Sequence, residues 1–371
     1  MKIAVDCRYL DSSGLGAYLR GCLPYFLASA HSFLLIGQAE KIRPLAEGHC
    51  NCRIIDCPVK PFSITELFFF PGSIRDAINR SDCYFTPFFN IPPFISVPIY
   101  ITIHDVIFLD VPGLASPPGL AVRRFFYKRA AGLSTKIFTV SRFSKSRIEF
   151  HLVKYLNKSP QEPLKPVVVT YSAPQSYLLR PPLCPHKKNN SIIFIGNIKK
   201  HKGLGCLLEA FNGLRREYPP EKGTFPYKLI IVGEQRNFRT RDSEVKQILA
   251  RAGGSAIEFS GFVDNEKLKE LLGGALLLVQ PSLYEGFGLP PLEAMILGTR
   301  TLISDISVFK EIYSEFPVSF FKAGDARDLR KKISSILDED AGRPLVLPEQ
   351  LALKYTFEKT SSIILREMTG A

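Results

Sequence analysis

Gln280-Pro281-Ser282-Leu283-Tyr284-Glu285-Gly286-Phe287-Gly288-Leu289-Pro290-Pro291-Leu292-Glu293-Ala294-Met295 is the stretch of this 371-residue chain that says most about its fold. An apolar run ends at Gln280, a loop follows with glycines at 286 and 288, and Pro290-Pro291 suits the first turn of a helix. Strand, glycine-bearing loop and helix in that order are the repeating unit of parallel α/β architecture. The loop presents backbone N–H groups before a helix N-terminus, an arrangement that attracts a diphosphate. Glu285 sits at the loop tip and Glu293 in the first turns of the helix. Carboxylates there accept hydrogen bonds from vicinal sugar hydroxyls. A helix start with a surface glutamate is the plainer alternative, and one glutamate alone does not displace it.

Working outward, short β-branched runs alternate with helical stretches along the whole chain. Strand candidates in the first half are 2–6, 33–37, 53–56, 83–86, 99–104, 136–141 and 167–170. A polar stretch with Pro174, Pro181, Pro182 and Pro185 follows and reads as a linker. The series restarts at 191–196, 228–233, 257–261, 275–280 and 301–304. The expected division is a first Rossmann-like domain over 1–172, a linker over 173–190 and a second domain over 191–350. A final helix within 351–371 is expected to return to the first domain. Two doubly wound parallel sheets of this kind bind ligands outside the carboxyl ends of their strands, here in a central cleft that both domains face.

Composition narrows the class. Hydrophobic residues make up 46% and charged residues 22%, which describes folded domains and not a disordered tail. Forty-eight Lys and Arg against 35 Asp and Glu give a formal charge of +13. Such a surface suits nucleic acid, an anionic membrane or a phosphorylated substrate. Arg123, Arg124, Lys128 and Arg129 flank Phe125, Phe126 and Tyr127, with Arg142, Lys145, Arg147 and Lys154 beyond. That pattern fits helices lying on a membrane surface, and equally a solvated helix face over core aromatics. The uncharged segment 83–103 contains four prolines, at 87, 92, 93 and 98, so it is no transmembrane helix. The apolar run before Asp6 and Arg8 is too short for a signal peptide, so the eight cysteines are expected to be reduced thiols in a cytoplasmic setting. His49, Cys50, Cys52 and Cys57 cluster without matching a standard zinc spacing.

Three further segments carry candidate chemistry. In Phe194-Ile195-Gly196-Asn197-Ile198-Lys199-Lys200-His201-Lys202-Gly203, a strand ends at a glycine turn and Lys202 opens a helix. An ammonium there neutralises a departing diphosphate, with Lys199 or Lys200 assisting. Asp11-Ser12-Ser13-Gly14-Leu15-Gly16-Ala17-Tyr18 follows the first strand as a glycine loop. Ile103-His104-Asp105 closes a strand, the placement at which ligands meet an α/β sheet.

Taken together these segments resemble the retaining GT-B glycosyltransferases of the family-4, or group 1, type. Glu285 and Glu293 match that family's Glu-x7-Glu signature, which implies Glu285 near the donor sugar's hydroxyls and Glu293 on the ribose. Phe287, Gly288 and Leu289 match backbone contacts to sugar and phosphate. Gly14 and Gly16 match its glycine loop, His104 a histidine beside the donor sugar, and Lys202-Gly203 a conserved Lys-Gly pair. Thr139-Val140-Ser141 with Ser144-Lys145 is also similar to a family segment. The family commonly has arginine where this chain has Asn197, so the cationic clamp here falls to Lys202 with Lys199 or Lys200.

The resemblance implies a metal-independent hexosyltransferase with a nucleotide-sugar as co-substrate and no other cofactor. GDP-mannose is the favoured donor, because Gly196–Lys202 and Gly288–Glu293 resemble polysaccharide mannosyltransferases; UDP- and dTDP-hexoses are the alternatives. A lipid-linked or lipopolysaccharide glycan is the expected acceptor. The expected setting is cytoplasmic, peripheral at the inner face of the cytoplasmic membrane, with no nucleic acid. A non-catalytic sugar-nucleotide-binding protein and a basic nucleic-acid-binding protein are the rival classes; no nucleic-acid recognition motif accompanies the charge.

Overall fold

The computed structural model describes residues 1–156, 165–179, 187–233, 256–261, 263–340 and 343–370. The chain divides into two compact units, Met1–Gln175 with Tyr355–Ala371, and Ser176–Lys354. Pro181, Pro182, Cys184 and Pro185 of the proline-bearing stretch lie outside the described residues.

The first unit is built on seven strands: β1 (Lys2–Asp6), β2 (Ser32–Gly37), β3 (Cys52–Asp56), β4 (Cys83–Thr86), β5 (Ile99–Thr102), β6 (Lys136–Thr139) and β7 (Val167–Val169). They stand in the order β3-β2-β1-β4-β5-β6-β7, and every pairing is parallel. β5 and β6 end earlier than the apolar runs in the sequence do. Ile103 and Val140 remain buried after leaving the ladder, so hydrophobicity outlasts strand pairing.

One layer of this unit is a single apolar cluster. It contains Ala4, Leu34 and Ile36 of the sheet, Phe70, Ile74 and Ile78, Phe89 and Ile91, and Phe126, Tyr127 and Ala130. Segments 62–79, 89–95 and the helix Pro117–Leu133 therefore cover the same side of the sheet. The C-terminal helix Phe357–Thr369 belongs to this unit and packs on the helix Ser13–Leu27. Phe357 lies so close to Gly21 that a Cβ there would overlap its ring. Lys136 Nζ donates to Glu367 Oε2 at 2.8 Å, and Thr360 Oγ1 to the Thr170 carbonyl at 3.1 Å.

The second unit repeats the plan with β8 (Ser191–Ile195), β9 (Lys228–Val232), β10 (Ile257–Gly261), β11 (Leu277–Gln280), β12 (Arg300–Ser304) and β13 (Ser319–Phe321). The order is β10-β9-β8-β11-β12-β13, all parallel apart from an isolated antiparallel bridge between Gly233 and Gly261. β13 escapes sequence reading because it is a three-residue edge strand just after Pro317. Two apolar clusters fill the sides of this sheet, one around Phe194, Phe211 and Leu302, the other around Ile193, Leu272 and Leu278. Strand order reverses between β8 and β11, neighbours in the sheet, so the loops leaving their carboxyl ends must meet there.

Candidate active site

At that reversal in the second unit, the two sequence-predicted loops are clasped together. Gly203 ends a short 3₁₀ turn, Lys200–Lys202, with φ +69°, and opens the helix Leu204–Glu217. A Cβ at Gly203 would collide with the Pro281 carbonyl, so only glycine fits both the left-handed backbone and the close approach. Leu283 N donates to the His201 carbonyl at 2.7 Å, tying the loop after β11 to the loop after β8.

This clasp sets up an ion pair between residues 83 positions apart. Lys202 Nζ donates to Glu285 Oε1 at 2.7 Å and Oε2 at 2.8 Å. Ser282 Oγ donates to the same Oε1 at 2.8 Å, and Gln280 Nε2 to Ser282 Oγ at 3.0 Å. Ser304 Oγ, from the end of β12, holds the Ser282 carbonyl. Glu285 is buried and Lys202 half-buried, so the pair is shielded from water and strengthened by that shielding. Sequence reading brought out neither Gln280 nor Ser282; a polar residue ending a buried strand was the available signal.

Gly288 (φ +82°) lies against Phe309, where a Cβ would overlap the ring, and its carbonyl accepts from Tyr313 Oη. The helix Pro290–Ile296 follows. Its first two residues are prolines without N–H groups, and Glu293 N donates to the Leu289 carbonyl. The N–H groups that precede the helix are therefore those of the loop, at Gly288 and Leu289. The Glu293 carboxyl is held up at about 7 by burial, and no hydrogen-bond or ion-pair partner meets it among the described residues. Its charge in turn helps hold the Tyr177 hydroxyl up, after burial of that ring, so the two side chains are near neighbours. Asn197, Lys199 and Lys200 are exposed on the loop after β8. Between them and Lys202 lies His201, which burial first and then the Lys202 charge push down to about 4, leaving it neutral.

The first unit places its candidates at strand ends of its own. His104 follows β5 and donates from Nε2 to the Pro87 carbonyl at 3.1 Å. Its ring lies edge-on to Tyr18 at 4.8 Å, and burial lowers it to about 4. The imidazole is therefore neutral at physiological pH, with Nδ1 as its acceptor. Ser144 Oγ donates to the His104 carbonyl at 3.0 Å. Gly14 and Gly16 lie in the first turn of the helix Ser13–Leu27, so the expected glycine loop is helical here. Gly16 N donates to the Ser12 carbonyl at 2.7 Å, and a Cβ at 16 would overlap the Leu10 carbonyl. Gly16 is thus explained by packing, while Gly14 is exposed with open space where a Cβ would stand.

The four cations assigned to membrane docking separate. Arg129 donates to the carbonyls of Ile91 at 2.5 Å and Pro92 at 3.2 Å, so it braces the proline-rich loop. Arg123 donates to the Gly119 carbonyl and lies over the Phe108 ring at 4.0 Å. Arg124 and Lys128 face solvent. Among the described residues no three His, Cys, Asp or Glu side chains converge on a metal position, at Cys50, Cys52 and Cys57 or elsewhere.

The profile of the glycosyl transferases group 1 family matches residues 179–351, the span that holds the clasped loops. This chain carries a group 1 glycosyltransferase domain. Over 185 residues it is 27% identical to a serotype-specific mannosyltransferase WbdA of Escherichia coli, covering 48% of this chain and 21% of that one. Over 206 residues it is 29% identical to O-antigen chain mannosyltransferase B of Escherichia coli, covering 55% of this chain and 48% of the relative. The chain therefore spans a fifth to a half of the length of these relatives. The fold is that of Anabaena Alr3699/HepE, solved in complex with UDP and glucose, with a TM-score of 0.73 at 16% identity and full coverage of both chains. It is also that of a Thermosynechococcus elongatus sucrose-phosphate synthase, at 0.67 and 16%, over 99% of this chain and 94% of the other. The two parallel-sheet units share the fold of these GT-B neighbours.

Proposed function

We propose that this chain moves a hexose, mannose in the favoured reading, from a nucleoside diphosphate sugar to a lipid-linked or lipopolysaccharide glycan, with retention at the anomeric carbon. The observation that carries this reading is the Lys202–Glu285 pair, clasped at the strand reversal on the loop that leads to Glu293. The mannosyltransferase names of the Escherichia coli relatives support mannose, and GDP-mannose is accordingly the favoured donor.

In this mechanism Glu293 accepts the ribose hydroxyls and Glu285 the hydroxyls of the transferring sugar. Lys202 turns from Glu285 towards the diphosphate, assisted by Lys199 or Lys200, with Asn197 a neutral neighbour. Phe287, Gly288 and Leu289 line the sugar and phosphate with backbone amides. As the glycosidic bond breaks, charge grows on the leaving phosphate, and preorganised cations and amides stabilise it without reorganising. The phosphate takes the acceptor's proton on the same face, so the protein supplies positioning and charge and no nucleophile, and the reaction runs without a metal. His104, neutral, accepts a hydrogen bond from a sugar hydroxyl at Nδ1, and the first unit holds the acceptor.

Incubating the protein with GDP-mannose, UDP-glucose, UDP-galactose and dTDP-hexoses and following slow donor hydrolysis tests the reading. GDP release from GDP-mannose is expected. Turnover of a UDP- or dTDP-sugar alone moves the donor assignment, and no turnover or binding of any nucleotide-sugar removes the enzyme reading.

A further inference from the structure

Every phenylalanine that is exposed among the described residues lies on one layer of the first unit: Phe62, Phe68, Phe69, Phe94, Phe125 and Phe150. The most exposed are Phe94 (78%), Phe68 (74%) and Phe69 (73%). Chains bury phenylalanine where they can, so six on one side call for a partner.

These rings are held out by structure beneath them. The short helix Ile64–Phe69 is capped by Ser63 and anchored through Glu66, whose buried carboxylate meets Arg8 Nη1 at 2.8 Å and Phe62 N at 2.7 Å. Arg8 is locked in turn to Asp6 by two hydrogen bonds of 2.9 and 2.6 Å. With Glu66 and Leu67 facing inward, Phe68 and Phe69 have no route to the core. Asn90 also donates to Glu66, and Arg129 clamps Ile91 and Pro92, which fixes the loop bearing Phe94. The Phe62 ring meets Phe126 at 5.0 Å, and Phe125 meets Phe126 at 5.5 Å, joining these segments to the helix Pro117–Leu133. Phe62 (φ +61°) and Phe94 (φ +59°) occupy left-handed backbone, which is costly for a bulky residue and was not relieved by glycine.

The helix in this layer that carries Phe125 is cationic: Pro117–Leu133 has Arg123, Arg124, Lys128 and Arg129 and no acidic residue. Arg124 and Lys128 are exposed beside Phe125. Among the described residues no helix is long and apolar enough to cross a membrane. We propose that this phenylalanine-studded, cationic layer seats the protein on an anionic lipid bilayer, with Phe68, Phe69 and Phe94 entering the headgroup region. Aromatic rings with interspersed cations have the chemistry of an interfacial anchor; an acidic protein groove would match the charge but not several separately projecting rings.

Cosedimentation of the full chain with vesicles of phosphatidylcholine, with and without phosphatidylglycerol, tests this, with circular dichroism as the check on folding. Wild type is expected to bind the phosphatidylglycerol vesicles and to release progressively with salt. Phe68→Ser/Phe69→Ser/Phe94→Ser should weaken binding by at least about tenfold. Arg124→Ser/Lys128→Ser should weaken it by about fivefold per charge, and only on anionic vesicles. Val346→Ser, an equally exposed apolar site in the second unit, should change nothing. Failure of wild type to bind anionic vesicles overturns the proposal, as does unchanged binding by the triple variant. A dimer that the triple variant converts to monomer, with no vesicle binding by either, assigns the layer to self-association instead. Nucleotide binding in vesicle-free buffer reads the second unit separately, so either result leaves the donor site to be judged alone.

Discussion

At the scale of single residues, Lys202 and Glu285 are partners before any donor arrives. Replacing either therefore does two things. Glu285→Ala removes acceptors for the sugar, and kcat/KM should fall by about tenfold to a thousandfold, as for loss of a charge-assisted hydrogen bond. It also frees Lys202, so affinity for the nucleoside diphosphate should hold or rise. A fully active Ala variant would take Glu285 out of the site. Glu293 gives a pH signature. Its carboxyl titrates near 7 because burial disfavours the charge. A raised carboxyl pKa favours the folded state at low pH, and that contribution is lost as pH rises from the ordinary carboxylate range through about 7. Ribose binding needs the anion, so nucleoside affinity should climb about tenfold between about pH 6 and about pH 8. Glu293→Gln should flatten that profile; an unchanged slope in the variant would assign the titration to another group.

At the scale of elements, the clasp between the loops after β8 and β11 depends on Gly203. Gly203→Ala adds a Cβ into the Pro281 carbonyl at φ +69°. The left-handed backbone costs about 1–2 kcal/mol, and the overlap adds about 1–3 kcal/mol. A fall in Tm of roughly 4–20 °C should follow at about 2–4 °C per kcal/mol, read by differential scanning calorimetry. Gly14→Ala is the contrast: a helical position with open space around it should keep or gain stability. If its backbone approaches the donor, kcat/KM falls nonetheless.

Much of this level was legible in the sequence. Apolar and β-branched runs mark twelve of the thirteen described strands, all but β13, and the Gln280–Met295 stretch marks its loop and helix. What local pattern does not carry is partnership over distance. Lys202 and Glu285 meet only because β8 and β11 are sheet neighbours, and Gly203 is explained only by Pro281. Charge pattern likewise did not reveal that Arg123 and Arg129 are engaged with carbonyls while Arg124 and Lys128 stay exposed. Pro290 and Pro291 mark the helix start that the structure shows.

At the scale of the whole molecule, the C-terminal helix returns to the first unit, 268 residues along the chain from Tyr100, whose hydroxyl meets the Met368 carbonyl. Deleting 356–371 would bare Gly21, Cys22 and Tyr18, which Phe357 and Ser361 cover. Such a truncation should unfold the first unit or lower its Tm by at least about 10 °C, with ring-sized burial lost at several positions. An unaffected transition would make the helix dispensable. Donor binding in the proposed function requires the second unit to hold a nucleoside diphosphate through Lys202 and its nucleoside through Glu293. Calorimetric titration of a nucleoside diphosphate and the matching nucleoside into wild type and Lys202→Ala tests that claim most directly. The diphosphate should bind the variant at least about tenfold more weakly, with a shallower salt dependence, while nucleoside affinity holds. Equal losses for both ligands, or no loss for either, would contradict it.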